Sequence, residues 1–314
     1  MGIRLLKPPA VATGASLSVI TPASFAQQER VNNGLEALRS LGFIPVLGEN
    51  AHERGPLFFA GTPEQRSADF CEAFANANTR AVMAVRGGYG SNYLLDRLDV
   101  KGFERHPKPF LAYSDLTGIQ LHLLDRIGLP AFHGPMLAAD FHHKDGVHFE
   151  SFRAALAGDP YSVGAAQGLR VLKSAGARSV KGILYGGCLS ILVSLLGTPW
   201  EPATEGKLLF IEDVGAKPYQ IDRMLWQLRV AGKLKDVPGI VFGEMLDCTS
   251  QGGAPDLLEN TILSALHDFA GPIAIGLRSG HVSRQNVTLT LGVVAELHCA
   301  GEPRLDLLEP AVNR

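Results

Sequence analysis

The sequence predicts an α/β protein with two domains, and three observations support this prediction. Over residues 16–135, short apolar runs alternate with segments of helical spacing, which is typical of parallel strands joined by helices. The chain has 314 residues, more than a single hydrophobic core usually organises. Beyond about residue 178 the pattern is richer in strand-like runs. We therefore expect an N-terminal α/β domain at residues 1–160 and a mixed, β-rich C-terminal domain at residues 161–314.

The elements of the first domain follow from local signals. A short apolar strand ends at Pro22, and the helical spacing that follows through Val31 is closed by Gly42. Thr62 and Pro63 supply an N-cap and a first-turn proline for the next helix. The predicted strands are 16–21, 43–47, 81–85, 109–111 and 129–132, and the predicted helices are 27–41, 62–77 and one after each of the strands 81–85 and 109–111.

The second half begins after a loosened pattern over residues 140–178, where the turn Gly158-Asp159-Pro160 marks the connection. Apolar runs bounded by turn residues indicate strands, and residues 285–298 alternate between apolar and polar side chains as strands do. The predicted strands are 207–211, 238–245, 273–277, 285–298 and 305–308, and the predicted helices are 150–156, 218–230 and 256–269.

Composition narrows the class of protein. The net charge is −2, from 29 Lys and Arg against 31 Asp and Glu, and no basic block occurs, so we expect no nucleic-acid partner. The four cysteines are widely spaced without a CxxC pair, which disfavours a zinc knuckle or a disulfide framework and suits a reducing compartment. Lys7-Pro8-Pro9 interrupts the apolar start, and no run approaches the ~18 apolar residues of a membrane span. We expect a cytoplasmic protein with no membrane partner.

Two polar segments follow neighbouring predicted strands. Arg86-Gly87-Gly88-Tyr89-Gly90 follows the strand 81–85, and Ala112-Tyr113-Ser114-Asp115 follows the strand 109–111. Ligands of parallel sheets bind at the carboxyl ends of the strands, where both segments fall. A serine on a sharp strand-to-helix turn exposes its hydroxyl, and a glycine-rich strand end supplies free N–H groups. Together they predict a nucleophile and an oxyanion hole, although a serine at this position is also a typical helix N-cap.

A serine nucleophile needs a general base and a carboxylate that orients the base. His281 follows a predicted strand in Arg278-Ser279-Gly280-His281, and His133 lies in a similar loop, so both are candidate bases. Glu212 ends the apolar strand 207–211 and is the candidate acid, and Asp213 beside it is the residue most easily confused with it. His142, His143 and His148 lie in a polar stretch and are expected to be solvated.

At these residues the chain resembles the LD-carboxypeptidase family of serine peptidases, which includes muropeptide LD-carboxypeptidases and microcin C immunity peptidases. The resemblance runs from about residue 16 to residue 297, and both the order and the spacing of the motifs fit. The matching segments are 85–91, 113–117, 132–136, 186–187, 196–199, 210–214, 218–223 and 280–281.

The resemblance implies a flavodoxin-like N-terminal domain that carries the nucleophile Ser114. It implies a β-rich C-terminal domain that carries the acid Glu212 and the base His281. The implied active site lies between the domains of a homodimer, needs no metal or cofactor, and releases D-alanine from a cytoplasmic murein tetrapeptide. We expect the backbone N–H groups of Gly88 and Asp115 to form the oxyanion hole.

We expect the substrate to contact Arg86, Tyr89, Gly187 and Cys188. Arg86 and Arg278 are candidate ligands of the substrate carboxylate, and Arg86 is equally well explained as a structural ion-pair partner. Three departures from the family pattern put the substrate pocket in question. Two are single residues, and the third is the segment Leu277-Arg278-Ser279, which in the family is normally apolar and proline-bearing.

The first departure is Ala112, where the family usually has Gly, and a tight turn accepts a methyl group there only at negative φ. The second is Cys188, where the family usually has Asn, so an amide is replaced by a weakly polar thiol.

Three other functions remain as alternatives. Peptidase chemistry on peptidyl or acyl-sulfamoyl adenylates would need aromatic side chains for the adenine, and Trp226, in an amphipathic helix, is expected to pack in the core instead. A non-catalytic protein would use the GGYG turn to hold a phosphate, but the full phosphate-binding patterns are absent. A metallohydrolase would use Asp140, His142 and His143, which lack the HExxH spacing.

Overall fold

Two β-sheets organise the protein, which we describe from a computed structural model covering residues 4–249 and 252–314. The strands are β1 Ser16–Ile20, β2 Ile44–Leu47, β3 Ala81–Ala84, β4 Phe110–Ala112, β5 Ala131–His133, β6 Tyr161–Gly164, β7 Arg170–Lys173, β8 Ser179–Cys188, β9 Lys207–Glu212, β10 Ile240–Gly243, β11 Ile273–Leu277, β12 Leu289–Leu291, β13 Val294–His298 and β14 Arg304–Leu307. The helices are α1 Gln28–Ser40, α2 Pro63–Ala75, α3 Thr117–Ile127, α4 Phe149–Ala157, α5 Leu189–Ser194, α6 Pro218–Val230 and α7 Leu257–Ala265.

The first sheet confirms the predicted parallel N-terminal half. Strands β2, β1, β3, β4 and β5 lie side by side in that order and are parallel, which is the flavodoxin-like arrangement. The apolar runs of β3 and β4 are fully buried, as expected for strands that are covered on both faces. The carboxyl ends of β3 and β4 therefore lie next to each other, and the two polar segments begin there.

The second sheet is mixed, as predicted for the C-terminal half. Its centre consists of the parallel strands β8, β9, β10 and β11. Antiparallel strands flank this centre, with β13, β14 and β6 on one side and β7 on the other. One cluster of buried apolar side chains includes Leu124 and Phe132 from the first half and Leu184 and Phe210 from the second. The two sheets thus share a hydrophobic core.

The segment 285–298 alternates as predicted but forms two strands in different sheets. Strand β12 pairs antiparallel with β5 at the edge of the first sheet, and β13 pairs with β8 in the second. Gly292 separates them with φ +96°, and a Cβ there would lie 2.6 Å from the side chain of Leu124. Only glycine suits this corner, because its backbone is left-handed and the neighbouring helix is in contact.

Other elements differ from the sequence-based expectation. The helix predicted after the GGYG turn is a short 3-10 turn, Ser91–Leu94, that begins directly after Gly90 at φ +117°. Strands β6 and β7 lie inside the stretch that the sequence indicated as a connection, and β8 was not predicted. No helix in the described ranges is long and apolar enough to cross a lipid bilayer.

Helix α2 is fastened to the first sheet by the buried side chain of Lys108. The Lys108 ammonium donates to the carbonyl oxygens of Ala73 (2.7 Å) and Asn76 (2.6 Å) and to the hydroxyl of Thr79 (3.0 Å). These carbonyls lie at the carboxyl end of α2, where helical carbonyls lack intrahelical partners, and the Asn76 carbonyl also accepts from the Thr79 backbone nitrogen (3.2 Å). Burial lowers the pKa of Lys108 to about 8.

We predict that Lys108→Met lowers the free energy of unfolding by about 1–3 kcal/mol, because it removes three buried hydrogen bonds and leaves the Ala73 carbonyl without the Lys108 donor. Urea unfolding followed by circular dichroism measures this change. Lys101→Met, at an exposed position, is the matched control and should change stability by less than about 0.5 kcal/mol. Equal midpoints for the two variants would contradict the assigned role of Lys108.

Candidate active site

Ser114 lies on a strained turn between β4 and α3. Tyr113 is extended, Ser114 has φ +65°, and a 3-10 turn from Ser114 to Leu116 leads into the helix. A left-handed conformation at a residue other than glycine costs of the order of 1–3 kcal/mol and is found mainly at functional sites. Ala112 is not among the residues of positive φ, so its methyl group fits the turn.

The glycine-rich turn after β3 packs directly against this serine. A Cβ on Gly87 would lie 2.8 Å from Ser114 Cβ, 3.0 Å from Ser114 Oγ and 3.3 Å from the Asp115 backbone nitrogen. Any side chain at Gly87 would therefore displace the hydroxyl. Within the described residues, the backbone N–H groups of Gly88 and Asp115 have no hydrogen-bond acceptor, so they are free to bind an anion.

Side chains outside the site hold the two turns together. Asp115 accepts a hydrogen bond from the Ser91 backbone (2.8 Å), and the Ser91 hydroxyl donates to the Asp115 carbonyl (2.6 Å). Arg66, from α2, is 2% exposed and donates to the carbonyl oxygens of Pro22 (2.8 Å) and Gly90 (2.7 Å). The free N–H groups are thus carried on a rigid frame.

Glu212, at the end of β9, has no exposed surface and binds His281 through one carboxylate oxygen. Its Oε2 accepts from His281 Nδ1 (2.7 Å) and from the His281 backbone nitrogen (3.0 Å). A Cβ on Gly280 would lie 2.6 Å from the Glu212 carboxyl carbon, and one on Gly243 would lie 2.7 Å from Glu212 Cβ. These two glycines make room for the buried acid. The carboxylate keeps the proton on Nδ1, which leaves Nε2 of His281 as a proton acceptor.

The charges of this pair stabilise each other. Burial raises the pKa of Glu212, but the positive charge of His281 and the hydrogen bond from its ring outweigh burial, so the pKa is lowered overall. Burial lowers the pKa of His281, but the negative charge of Glu212 outweighs it, so the pKa is raised overall. The contribution of His281 to stability is therefore present below its unfolded pKa and lost as pH rises through the folded value. The contribution of Glu212 to stability is present above its unfolded pKa and is lost as pH falls through its lower folded pKa.

His133, the other candidate base, is fully buried and so cannot face a substrate. Its Nδ1 lies 3.1 Å from the Ser279 hydroxyl, and its Nε2 lies 3.9 Å from the second carboxylate oxygen of Glu212. His133 is thus a second imidazole beside the Glu212 carboxylate. Asp213 instead accepts hydrogen bonds from the backbone nitrogens of Ser190 and Val214, both at 2.8 Å, which is a structural role.

Three further residues shape the site, and no sequence pattern marked them for this role. The ring of Tyr113 stands perpendicular to that of His281, with 5.1 Å between centroids. The Tyr113 hydroxyl donates to Asp140 (3.4 Å), and Asp140 also accepts from Asn286 (3.0 Å). Asn286 clamps Gly280 by accepting from its nitrogen (3.0 Å) and donating to its oxygen (2.9 Å). Burial raises the pKa of Asp140 to about 6.

The structure brings the ends of β4, β9 and β11 to one cleft between the sheets. A cavity of about 610 Å³ is lined by Tyr113, Asp140 and His281 among others. Across residues 4–249 and 252–314, no hydrogen bond joins the Ser114 hydroxyl to His281, and the ring of Tyr113, the residue before Ser114, makes the contact instead.

The predicted substrate-binding residues are not among those that line this cavity. Arg86 is exposed, donates to the Phe25 carbonyl (3.3 Å) and forms no ion pair within the described ranges. Tyr89 is exposed and belongs to an aromatic group with Phe58, Phe59 and Tyr93. Arg278 is fastened to the Ala166 carbonyl (2.7 Å) in a neighbouring turn.

Gly187 and Cys188 connect the two sheets. Gly187 has φ +140°, and a Cβ there would lie 2.7 Å from the side chain of Thr117 at the start of α3. The backbone nitrogen of Cys188 donates to the Thr117 hydroxyl (3.2 Å), and its thiol is buried beside Ser190. Burial raises the pKa of the Cys188 thiol well above its usual value, so it stays protonated.

Of the residues named for the alternative functions, some lie elsewhere than expected and others lie apart from one another. Trp226 is 51% exposed on α6 and not in the core as predicted, because it lies on the solvent face of that helix. The rings of His142 and His143 contact each other in a tilted arrangement, with 3.6 Å between centroids. In the described part of the chain, no three His, Cys, Asp or Glu side chains are arranged to hold a metal ion. His148 accepts from the Ser151 backbone and caps α4.

A serine on a strained strand-to-helix turn and a buried carboxylate–imidazole pair are features of serine hydrolases. Comparison with known families agrees with this class. Residues 17–134 match the LD-carboxypeptidase N-terminal domain, and residues 181–297 match the LD-carboxypeptidase C-terminal domain. The chain therefore belongs to the LD-carboxypeptidase family, as its motifs predicted.

Individual relatives support the same assignment. A probable murein peptide carboxypeptidase of Bacillus subtilis is 35% identical over 94% of this chain and 92% of its own length. The crystal structure of a muramoyltetrapeptide carboxypeptidase from Oxalobacter formigenes is 30% identical, with TM-score 0.82 over 94% of this chain and 99% of that one. The microcin C7 self-immunity protein MccF with aspartyl sulfamoyl adenosine shares the fold, with TM-score 0.90 at 22% identity over 98% of this chain and 99% of its own.

We predict that Glu212→Gln moves the titration of His281 to lower pH, because burial then acts on the imidazole without the opposing carboxylate charge. Wild-type His281 should titrate above the ordinary histidine pKa of about 6.5. NMR titration of the imidazole nitrogens measures both values. Glu302→Gln, at an exposed position, is the control and should leave the His281 curve unchanged. The same curve in Glu212→Gln and wild type would show that the pair is not coupled.

Proposed function

We propose that this protein is a serine carboxypeptidase that cleaves an L,D-amide bond and releases terminal D-alanine from a murein tetrapeptide. The observation that carries the proposal is the arrangement of Ser114 beside free N–H groups and directly after Tyr113, whose ring contacts His281 of the buried Glu212–His281 pair. The named activities of the Bacillus subtilis and Oxalobacter formigenes relatives support this substrate class. We further propose that the protein acts in the cytoplasm, as a homodimer and without a metal or cofactor.

In the proposed mechanism, substrate closes the cleft and brings Ser114 within hydrogen-bond reach of His281 Nε2, since such bonds are often long in unliganded enzymes. His281 takes the hydroxyl proton as the serine oxygen attacks the scissile carbonyl. Glu212 orients the imidazole and stabilises its positive charge. The N–H groups of Gly88 and Asp115 bind the developing oxyanion, and each such donor is typically worth ~10²–10³ in rate.

The second half of the reaction uses the same groups in reverse. His281 returns its proton to the leaving amine, and D-alanine departs. Water then attacks the serine ester, again with His281 as the base, and restores the free hydroxyl.

A second candidate function is the hydrolysis of aminoacyl-sulfamoyl adenylates, and one cavity favours it. A space of about 300 Å³ is lined by Trp200, Tyr89, Asn92 and Asp115 among others. It adjoins the proposed oxyanion hole through Asp115 and has two aromatic side chains on its walls. An adenine base would find stacking partners there.

We predict that Ser114→Ala lowers D-alanine release from the tetrapeptide by about 10³-fold or more, because the nucleophile is lost. Mass spectrometry of wild type and variant with tetrapeptide, tripeptide and aminoacyl-sulfamoyl adenosine in parallel measures the rates. Ser40→Ala, at an exposed serine of α1, should keep full activity. Near wild-type activity in Ser114→Ala rejects the serine mechanism, and faster cleavage of the sulfamoyl adenosine by wild type selects the second candidate.

We predict that a metal chelator leaves the rate of D-alanine release unchanged within twofold, because His281 and Glu212 activate the serine without a Lewis acid. The measurement compares initial rates after dialysis against EDTA and after dialysis against buffer alone. Loss of activity on chelation, with recovery on adding Zn²⁺, would contradict the proposed metal independence.

A further inference from the structure

A small cavity of about 270 Å³ beside the catalytic cleft is lined by two arginines and no carboxylate. Its walls are Arg30, Arg86, Gln27 and three alanines. Both arginines are exposed, and neither forms an ion pair in the ranges that the structure describes. Two like charges that face one space repel each other unless an anion lies between them. The planar guanidinium group is well suited to bind a carboxylate.

The position of this cavity relative to the proposed oxyanion hole suggests which anion it takes. Arg86 Nη2 lies 3.6 Å from the place that a Cβ on Gly88 would occupy. Ala139 lines both this cavity and the larger one that contains Tyr113 and His281, so the two are neighbours. The carboxylate of a one-residue leaving group lies about one residue length, ~3.8 Å, beyond the scissile carbonyl. Arg86 is therefore within reach of that carboxylate, and Arg30 lines the same cavity.

The cations of the larger cavity are weaker candidates for this role. Lys144 and Arg284 line it, but the carboxylates of Asp140 and Asp145 line it as well. An incoming carboxylate would meet negative charge there, whereas the arginine-lined cavity offers positive charge alone.

We propose that Arg30 and Arg86 together bind the free α-carboxylate of the leaving amino acid and so restrict cleavage to the last residue of a peptide. This inference rests on the proposed peptidase function. Arg30 lies in the first turn of α1, and no sequence motif surrounds it. Its role follows only from the packing of α1 beside the loop that carries Arg86. Arg86 is then a specificity residue and not a structural ion-pair partner.

The test compares the murein tetrapeptide with the same peptide ending in D-alaninamide, whose neutral end offers no charge to an arginine. Wild type should cleave the acid with a kcat/KM about 10- to 100-fold above that of the amide, as for one charged hydrogen bond. Arg30→Gln and Arg86→Gln should each lower kcat/KM for the acid by about 10-fold or more and leave that for the amide within threefold. Arg153→Gln, at an exposed arginine of α4 that does not line the cavity, should behave as wild type.

The possible results separate this inference from the proposed function. Equal cleavage of acid and amide by wild type overturns the inference and leaves the peptidase function standing. Retention of the wild-type preference in both arginine variants also overturns it, as does loss of the preference in Lys144→Gln or Arg284→Gln instead. If wild type cleaves neither peptide, the proposed function fails and the inference fails with it.

Discussion

The buried carboxylate of Glu212 is the feature on which the rest of the site depends. A charge with no exposed surface persists only when it is paired, and removing a partner from a buried pair typically costs about 3–5 kcal/mol. Its hydrogen-bond partner His281 follows a strand of the second sheet, and His133, which ends a strand of the first sheet, lies 3.9 Å from its other oxygen. The electrostatic need of one side chain thus constrains how the two sheets meet. Gly243 and Gly280 leave the space that this requires.

The serine side of the cleft is stabilised differently, by contacts that hold its backbone in place. Its backbone strain is maintained by contacts that do not touch the reacting atoms: Gly87 permits close approach, Asp115 ties its turn to Ser91, and Arg66 reaches in from α2. Each contact fixes a backbone group, and the N–H groups proposed to bind the oxyanion are backbone groups as well. Rigidity of the main chain matters more here than the identity of the side chains around it.

Local patterns predicted the strands that carry the site, because apolar runs that end in polar residues are strong signals. Patterns and the family resemblance together singled out Ser114, Glu212 and His281 as the candidate triad, and the structure pairs Glu212 with His281. The patterns did not reveal β6 and β7, whose side chains are half-buried and mixed in polarity. Nor did they reveal Asn286 and Arg30. Asn286 acts through buried hydrogen bonds to Gly280 and Arg30 lines a cavity, and both positions arise from tertiary packing. Trp226 was misplaced because helical spacing does not say which aromatic residue faces solvent.

Strand β12 has a consequence for how the protein is made. The ribosome completes β5 at residue 133, but the segment that covers its open edge emerges only at residue 289. At about 5–20 residues per second, the interval is of the order of 10–30 s. During that time the nascent first sheet exposes an unpaired strand to other chains. We expect chaperones that bind extended apolar segments to protect the nascent polypeptide until the last quarter of translation.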